Sequence, residues 1–225
     1  MFLNRWRRPQ EAGSRPGAPP AATGSLSPPG EAPRSRRSNG LEQFFSQIRG
    51  ESGLTLLDLS GASQANVGFI TDLGHRLYSD DLIATLDCVF GGGDFYERQL
   101  DEAAQATFLD QSFAFPGGSF DGVLLWDVLE FMAPPLLSKV MERLTAIVRP
   151  GAYIFALFHN EENADEVALS HYRIGDSGTL LLASRGFRKP AQLFSNRAVE
   201  KLFHEFQSVK FFLSRDSLRE VIVRR

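Results

Sequence analysis

Short apolar runs alternate along this chain with segments whose apolar residues recur at helical spacing. Three runs predict strands that are buried on both faces of a sheet, and they are 54–59, 120–126 and 153–158. The segments 41–50 and 134–148 carry their apolar residues on one face and predict helices. Alternation of this kind predicts an α/β fold whose parallel strands are joined by right-handed crossovers.

The carboxy-terminal end of the chain follows a different pattern. The apolar segments 209–213 and 218–223 lie too close together for a crossover helix, so they must pair antiparallel. Another hairpin is predicted around the turn at 175–178, between short strands at 172–174 and 179–182. The expected sheet is therefore mostly parallel, with an antiparallel hairpin at its end.

The amino-terminal part of the chain lacks these patterns. Residues 1–40 are rich in Pro, Gly, Ser and Ala, and they hold seven Arg but only two Glu. Such a segment has little apolar area to offset the entropy lost on ordering. We expect an Arg/Pro-rich disordered tail over 1–40, which is also a candidate for binding a protein partner, and one domain over 41–225.

Composition narrows the class of protein. The net charge of −3 gives no case for nucleic-acid binding, and no stretch approaches the ~20 apolar residues of a membrane span. Cys88 is the only cysteine, which fits a reducing compartment such as the cytoplasm, and its apolar neighbours predict a buried thiol. The four scattered histidines have no metal-ligand spacing, so no metal site is expected.

The first strand-to-helix turn is the place to look for a ligand, because open α/β sheets bind ligands outside the carboxyl ends of their strands. This turn reads LDLSGASQAN over 57–66. The strand predicted at 76–79 ends in Asp80 and Asp81, with Asp81 lying 23 positions beyond Asp58. Asp58 and Asp81 are thus expected at the same edge of the sheet, the one formed by the carboxyl ends of the strands.

These segments resemble class I S-adenosylmethionine (SAM)-dependent methyltransferases, in particular those of type 11. The turn at 57–66 is similar to their motif I, and 120–130 (FDGVLLWDVLE) is similar to their motif IV. The stretch 109–121 looks like the family's Asp, Leu-Pro-Phe, Ser-Phe-Asp pattern, and 148–152 looks like its arginine-proline-glycine turn. The resemblance spans about 54–158, and the closing hairpin extends it. It implies a Rossmann-like class I methyltransferase sheet and SAM as the cofactor.

The resemblance also implies which residues bind the cofactor. The methionine part of SAM would lie along Asp58, Ser60, Gly61 and Ala62. Asp81 would hold the ribose, with the adjacent Asp80 as the alternative. Asp110 and Gln111 would lie at the adenine end, and Trp126 and Asp127 would face the methyl group and the substrate. No side chain is identified as catalytic, because the sulfonium is already a strong methyl donor. A general base is needed only for some acceptors, and His159 and Asp127, just past strand ends, are the candidates. For His159 alone, a solvent-facing loop position is the preferred interpretation.

Motif I diverges from the family at its glycines. Ser60, Ala62 and Gln64 stand where the family has glycine, which its turn uses for positive φ and close approach to the cofactor. Gly61 supplies one glycine displaced by a residue, and Phe131 replaces the family's frequent histidine.

Two functions are therefore carried forward. The first is a SAM-dependent methyltransferase that acts on a small-molecule acceptor. The second is a non-catalytic methyltransferase-like module that binds proteins. A third hypothesis, nicotinamide-dependent reduction, is disfavoured because the chain lacks Gly-x-Gly-x-x-Gly.

Overall fold

A six-stranded sheet forms the centre of the computed structural model, which describes residues 33–161, 163–214 and 216–225. Its strand order is β3-β2-β4-β5-β9-β8. The strands are β2 (Thr55–Asp58), β3 (Arg76–Ser79), β4 (Phe120–Trp126), β5 (Val148–His159), β8 (Ser208–Phe212) and β9 (Leu218–Arg224). The first four in this order are parallel, and β9 is antiparallel to both β5 and β8. The predicted fold class is confirmed, including the closing hairpin.

Helices cover both faces of this sheet. They are α1 (Asn39–Ile48), α2 (Gln64–Asp72), α3 (Leu82–Phe90), α4 (Phe95–Arg98), α5 (Glu102–Ser112), α6 (Pro134–Ile147) and α7 (Asn196–Leu202). Because successive side chains of a strand point to opposite faces, β4 contributes to two apolar cores. Leu124 and Trp126 pack with α1 and α2, whereas Val123 and Leu125 pack with α3, α5, α6 and α7.

A second, three-stranded sheet shares no strand with the central one. It contains β1 (Arg34–Arg37), β7 (Thr179–Arg188) and β6 (Val167–Asp176), in the order β1-β7-β6 and all antiparallel. The β6–β7 hairpin, called the arm below, is inserted between β5 and α7. The hairpin predicted from the sequence is confirmed, but each of its strands has ten residues and is longer than the sequence pattern indicated.

The folded region begins earlier than the predicted boundary at residue 41. Strand β1 pairs with β7, and the Arg36 side chain is almost fully buried against Glu220, with 2.8 Å from Nη2 to Oε1. Ser38 caps α1 by accepting a hydrogen bond from the backbone N–H of Leu41 at 3.1 Å. These polar contacts order a segment whose composition alone predicts disorder. Residues 1–32, and the tail predicted there, lie outside the described residues.

One local prediction is wrong. Cys88 is exposed, because α3 buries Leu82, Ile83, Leu86 and Phe90 and turns Cys88 to the other side. Helix α7 is capped by Ser195, which accepts a hydrogen bond from the N–H of Ala198. No helix in the described part of the chain is long and apolar enough to cross a membrane.

Candidate functional site

The topological switch point of the sheet lies between β2 and β4. The chain leaves β2 through α2 toward β3 on one side, while β4 lies on the other side of β2. Asp58 is the last residue of β2, Trp126 is the last of β4, and Asp127 follows directly. All three are buried. The carboxyl edge of the parallel strands therefore carries two acids and an indole at the place where open α/β sheets bind ligands.

The carboxylate of Asp58 is fully occupied by its own chain. Its Oδ1 accepts hydrogen bonds from Trp126 Nε1 at 2.6 Å and from Ser60 Oγ at 2.9 Å. Its Oδ2 accepts one from Asn66 Nδ2 at 2.6 Å. Burial raises the pKa of Asp58, although these hydrogen bonds oppose the rise. Both oxygens thus have close donors within the protein.

Trp126 is held in an unfavourable backbone conformation. Its φ of +57° is the only positive value at a non-glycine position among the described residues. Such a conformation costs on the order of 1–3 kcal/mol and persists where the surroundings impose it. Here the indole is bonded to Asp58 and stacked on Tyr172, with ring centroids 4.9 Å apart and an interplanar angle of 2°.

Strand β6 of the arm lies across this edge. The Tyr172 hydroxyl donates to Asp127 Oδ2 at 2.7 Å, and the Tyr172 carbonyl accepts from Asn66 Nδ2 at 3.2 Å. The backbone N–H of Ile174 donates to Asn66 Oδ1 at 2.7 Å. Asn66, on α2, therefore joins β6 to the acid that ends β2.

The turn after β2 is closed against the end of β3. Gly61 has a φ of +93°, which favours glycine, and its N–H donates to the Asp80 carbonyl at 2.9 Å. Asp81 caps α3 by accepting from the N–H of Ala84 at 3.0 Å. The same oxygen of Asp81 accepts from Arg185 of β7 at 2.9 Å. The acid that the resemblance assigns to the ribose is therefore paired with the arm.

The space that remains at this edge is small. A cavity of about 220 Å³ is lined by Ser60, Gly61, Ala62, Ser63, Asp81, His171, Tyr172 and Arg173. Pockets for cofactors and other small molecules usually measure roughly 300–1,000 Å³. The volume of this cavity lies below that range, and the ring of Tyr172 in β6 lies over the indole of Trp126.

The predicted site residues fall into three groups. Four line the cavity, and they are Ser60, Gly61, Ala62 and Asp81. Asp58, Trp126 and Asp127 lie beneath β6 and are buried. Asp110 and Gln111 are exposed on α5 and do not line the cavity. The structure thus brings seven of the nine residues to one edge and leaves their roles toward a cofactor as predictions.

A buried acid–histidine pair lies at the ends of β4 and β5. Glu130 Oε2 lies 2.5 Å from His159 Nδ1, and the N–H of His159 donates to Glu130 Oε1 at 3.0 Å. Burial lowers the pKa of His159, but the hydrogen bond and charge of Glu130 outweigh burial and raise it. Nearby, burial raises the pKa of Asp127 to about 6. The solvent-facing position expected for His159 is wrong, because Glu130 draws the imidazole inward.

The sequence pattern indicates no role for Asn66, Tyr172 or Arg185, and no pairing for Glu130. For Asn66 the one available signal is that a polar residue lies on the buried face of α2. Tyr172 and Arg185 belong to a hairpin whose place in the fold only the tertiary structure shows.

The strand order, the switch point and the closing hairpin define a Rossmann-like protein with the topology of class I methyltransferases. No protein-family model matches the chain, and no curated protein matches it. Solved structures do resemble it. A SAM-dependent methyltransferase of Methanosarcina mazei has 11% identity and a TM-score of 0.49, over 80% of this chain and 96% of that one.

Two further structures resemble the chain to a similar degree. The 1,6-didemethyltoxoflavin-N1-methyltransferase of Burkholderia thailandensis, solved with 1,6-didemethyltoxoflavin and S-adenosylhomocysteine, has 11% identity and a TM-score of 0.47, over 83% of this chain and 76% of that one. A SAM-dependent methyltransferase of Archaeoglobus fulgidus has 12% identity and a TM-score of 0.47, over 82% and 91%. At such identities the likeness concerns the fold.

Proposed function

We propose that this protein is a SAM-dependent methyltransferase that acts on a small-molecule acceptor. The observation that supports this best is the pair of acids at the ends of adjacent parallel strands, Asp58 on β2 and Asp81 after β3, with the Gly61 turn between them. This edge is where the fold binds ligands. The single cysteine of the chain makes the cytoplasm the proposed compartment.

The residues of the edge have distinct roles in this proposal. Asp81 would hold the ribose by accepting its hydrogen bonds, which requires that Arg185 be displaced, and the turn at 60–62 would hold the methionine part. Bound SAM would supply an activated methyl group, which leaves alignment and exclusion of water to the protein. The adenine contacts predicted for Asp110 and Gln111 require that the exposed face of α5 take part.

A general base is available if the acceptor needs one. His159 is hydrogen-bonded by Glu130 on one side and by the backbone of Ala168 in β6 on the other. A carboxylate that orients an imidazole and raises its pKa is a common arrangement for proton transfer. Both residues of this pair are buried, and β6 contacts His159 through Ala168.

A second candidate function is a non-catalytic module that keeps the methyltransferase fold. The observation that favours it is the internal use of the same groups: Asp58, Asp81 and Asp127 all have partners within the chain. In this case the arm is a permanent part of the fold.

Calorimetric titration with SAM and S-adenosylhomocysteine tests the proposal. We expect binding by the wild-type protein and a loss of binding in Asp81→Ala. Asp101→Ala is the matched control, because Asp101 likewise caps a helix, α5, by accepting from the N–H of Ala104 at 2.8 Å, but it does not line the cavity. Folded protein that takes up neither ligand at millimolar concentration would favour the non-catalytic module.

A further inference from the structure

We propose that the arm is a built-in plug of the cofactor cleft, so that strand β6 and SAM compete for the same edge of the sheet. This inference rests on the proposed function. It adds that the structure is the closed form of the protein, and that cofactor binding requires the arm to withdraw.

The arm uses the groups which the resemblance assigns to the cofactor. The Tyr172 ring is stacked on Trp126, and its hydroxyl is bonded to Asp127. Arg185 forms an ion pair with Asp81, the acid assigned to the ribose. An aromatic ring and hydrogen-bond donors thus fill positions suited to a nucleoside, and the cavity beside them, about 220 Å³, is smaller than most cofactor pockets.

The arm can leave without breaking the central sheet. Strand β7 pairs with β6 on one side and with β1 on the other, and none of the three belongs to the six-stranded sheet. Opening breaks the hydrogen bonds of β6 to Asn66, Asp127 and His159, and the ion pairs of β7 from Arg185 to Asp81 and from Arg188 to Asp87. It also uncovers four apolar side chains of the arm that are buried in the two cores, Val167, Leu169, Ile174 and Leu180. The buried ion pair between β1 and β9, from Arg36 to Glu220, keeps that end of the second sheet attached.

The interactions that hold the arm are of unequal strength. The hydrogen bond between Asn66 and β6 is buried, whereas the side chains of Arg185 and Asp81 are 18% and 27% exposed. The ring of Phe187 at the end of β7 is 72% exposed, so the apolar burial of the closed form comes from β6 and from Leu180. Because a ligand that binds only the open form has its affinity reduced by the open fraction, weakening the closed form must tighten SAM binding.

The experiment measures the affinity for SAM and S-adenosylhomocysteine in variants that loosen the arm. Tyr172→Ala removes the stacked ring and the bond to Asp127, and we expect binding about 10- to 100-fold tighter than wild type. Arg185→Ala frees Asp81 from a partly exposed ion pair, and a gain of about 2- to 5-fold is expected. Tyr153→Ala is the matched control, because Tyr153 lies toward the amino end of β5 and contacts Arg224 instead of the arm.

A second readout reports the arm itself. The sequence has two tryptophans, so Trp6→Phe leaves Trp126 as the only indole. Trp126 is fully buried beneath Tyr172, and we expect its emission to shift to longer wavelength on SAM addition as the arm leaves. Tyr172→Phe, which keeps the ring, serves if Tyr172→Ala does not fold, and it should show a smaller gain in affinity.

The outcomes separate this inference from the proposed function. Tighter binding in the arm variants, together with the emission shift, supports both. Equal affinity in wild type, arm variants and control overturns the plug and leaves the methyltransferase proposal standing. If folded arm variants with a red-shifted Trp126 emission bind neither ligand, the proposed function fails, and competition with SAM fails with it.

Discussion

Replacement of Asn66 tests the polar network beneath the arm. Asn66→Leu keeps the approximate volume but removes the donor to Asp58 Oδ2 and the acceptor for the N–H of Ile174, which are bonded at 2.6 and 2.7 Å. Both groups are buried and would lose these partners. A buried polar group without a partner costs roughly 1–3 kcal/mol, so we expect the free energy of unfolding to fall by about 4 kcal/mol.

Urea unfolding followed by tryptophan fluorescence measures this change. With a slope of about 2–3 kcal/mol/M, the midpoint should fall by about 1.5 M while the slope stays the same. Gln64→Ala is the control, because Gln64 is exposed on the same helix and its loss should change stability by less than about 0.5 kcal/mol. A midpoint for Asn66→Leu within error of the control would refute the view that this network fastens β6.

Three further predictions concern the rest of the fold. Glu220→Gln removes the negative charge that pairs with buried Arg36, so the free energy of unfolding in urea should fall by about 3 kcal/mol. No change would show that the ion pair contributes nothing to stability. Burial raises the pKa of Asp127 from 3.8 to about 6, so the folded state binds more protons between these values and stability should fall as the pH rises through them. From pH 4 to 6 this fall is about 2 kcal/mol, and it should be absent in Asp127→Asn; an equal slope in both proteins would contradict the assignment. In Gly122→Ala the new Cβ would lie 2.7 Å from Leu56 Cδ2 in the core. The free energy of unfolding should therefore fall by about 1–3 kcal/mol, measured by thermal unfolding. An unchanged midpoint would mean that the core relaxes around the new methyl group.

Much of the central fold was accessible from the sequence. Buried strands such as 120–126 read as continuous apolar runs, and the short spacing between β8 and β9 left antiparallel pairing as the only geometry. The acids Asp58 and Asp81 could be placed at one edge for the same reason, because parallel strands bring their carboxyl ends together.

The sequence did not show that the β6–β7 hairpin covers that edge. Periodicity predicts the hairpin around residue 177 but not where it packs, and its place depends on contacts between residues more than 100 positions apart, such as Ile174 with Asn66. The ordered structure of residues 33–40 likewise depends on the buried ion pair of Arg36 with Glu220, which are 184 positions apart. Long-range polar contacts leave no local pattern in a sequence.

Hydrogen exchange on the wild-type protein tests the central claim most directly. The N–H of Ile174 is protected by Asn66, and the N–H groups of β2 are protected within the central sheet. With saturating SAM we predict faster exchange at Ile174 and unchanged or slower exchange at Leu57, because the arm withdraws while the sheet gains a ligand. Binding of SAM with the protection of Ile174 retained would contradict the account.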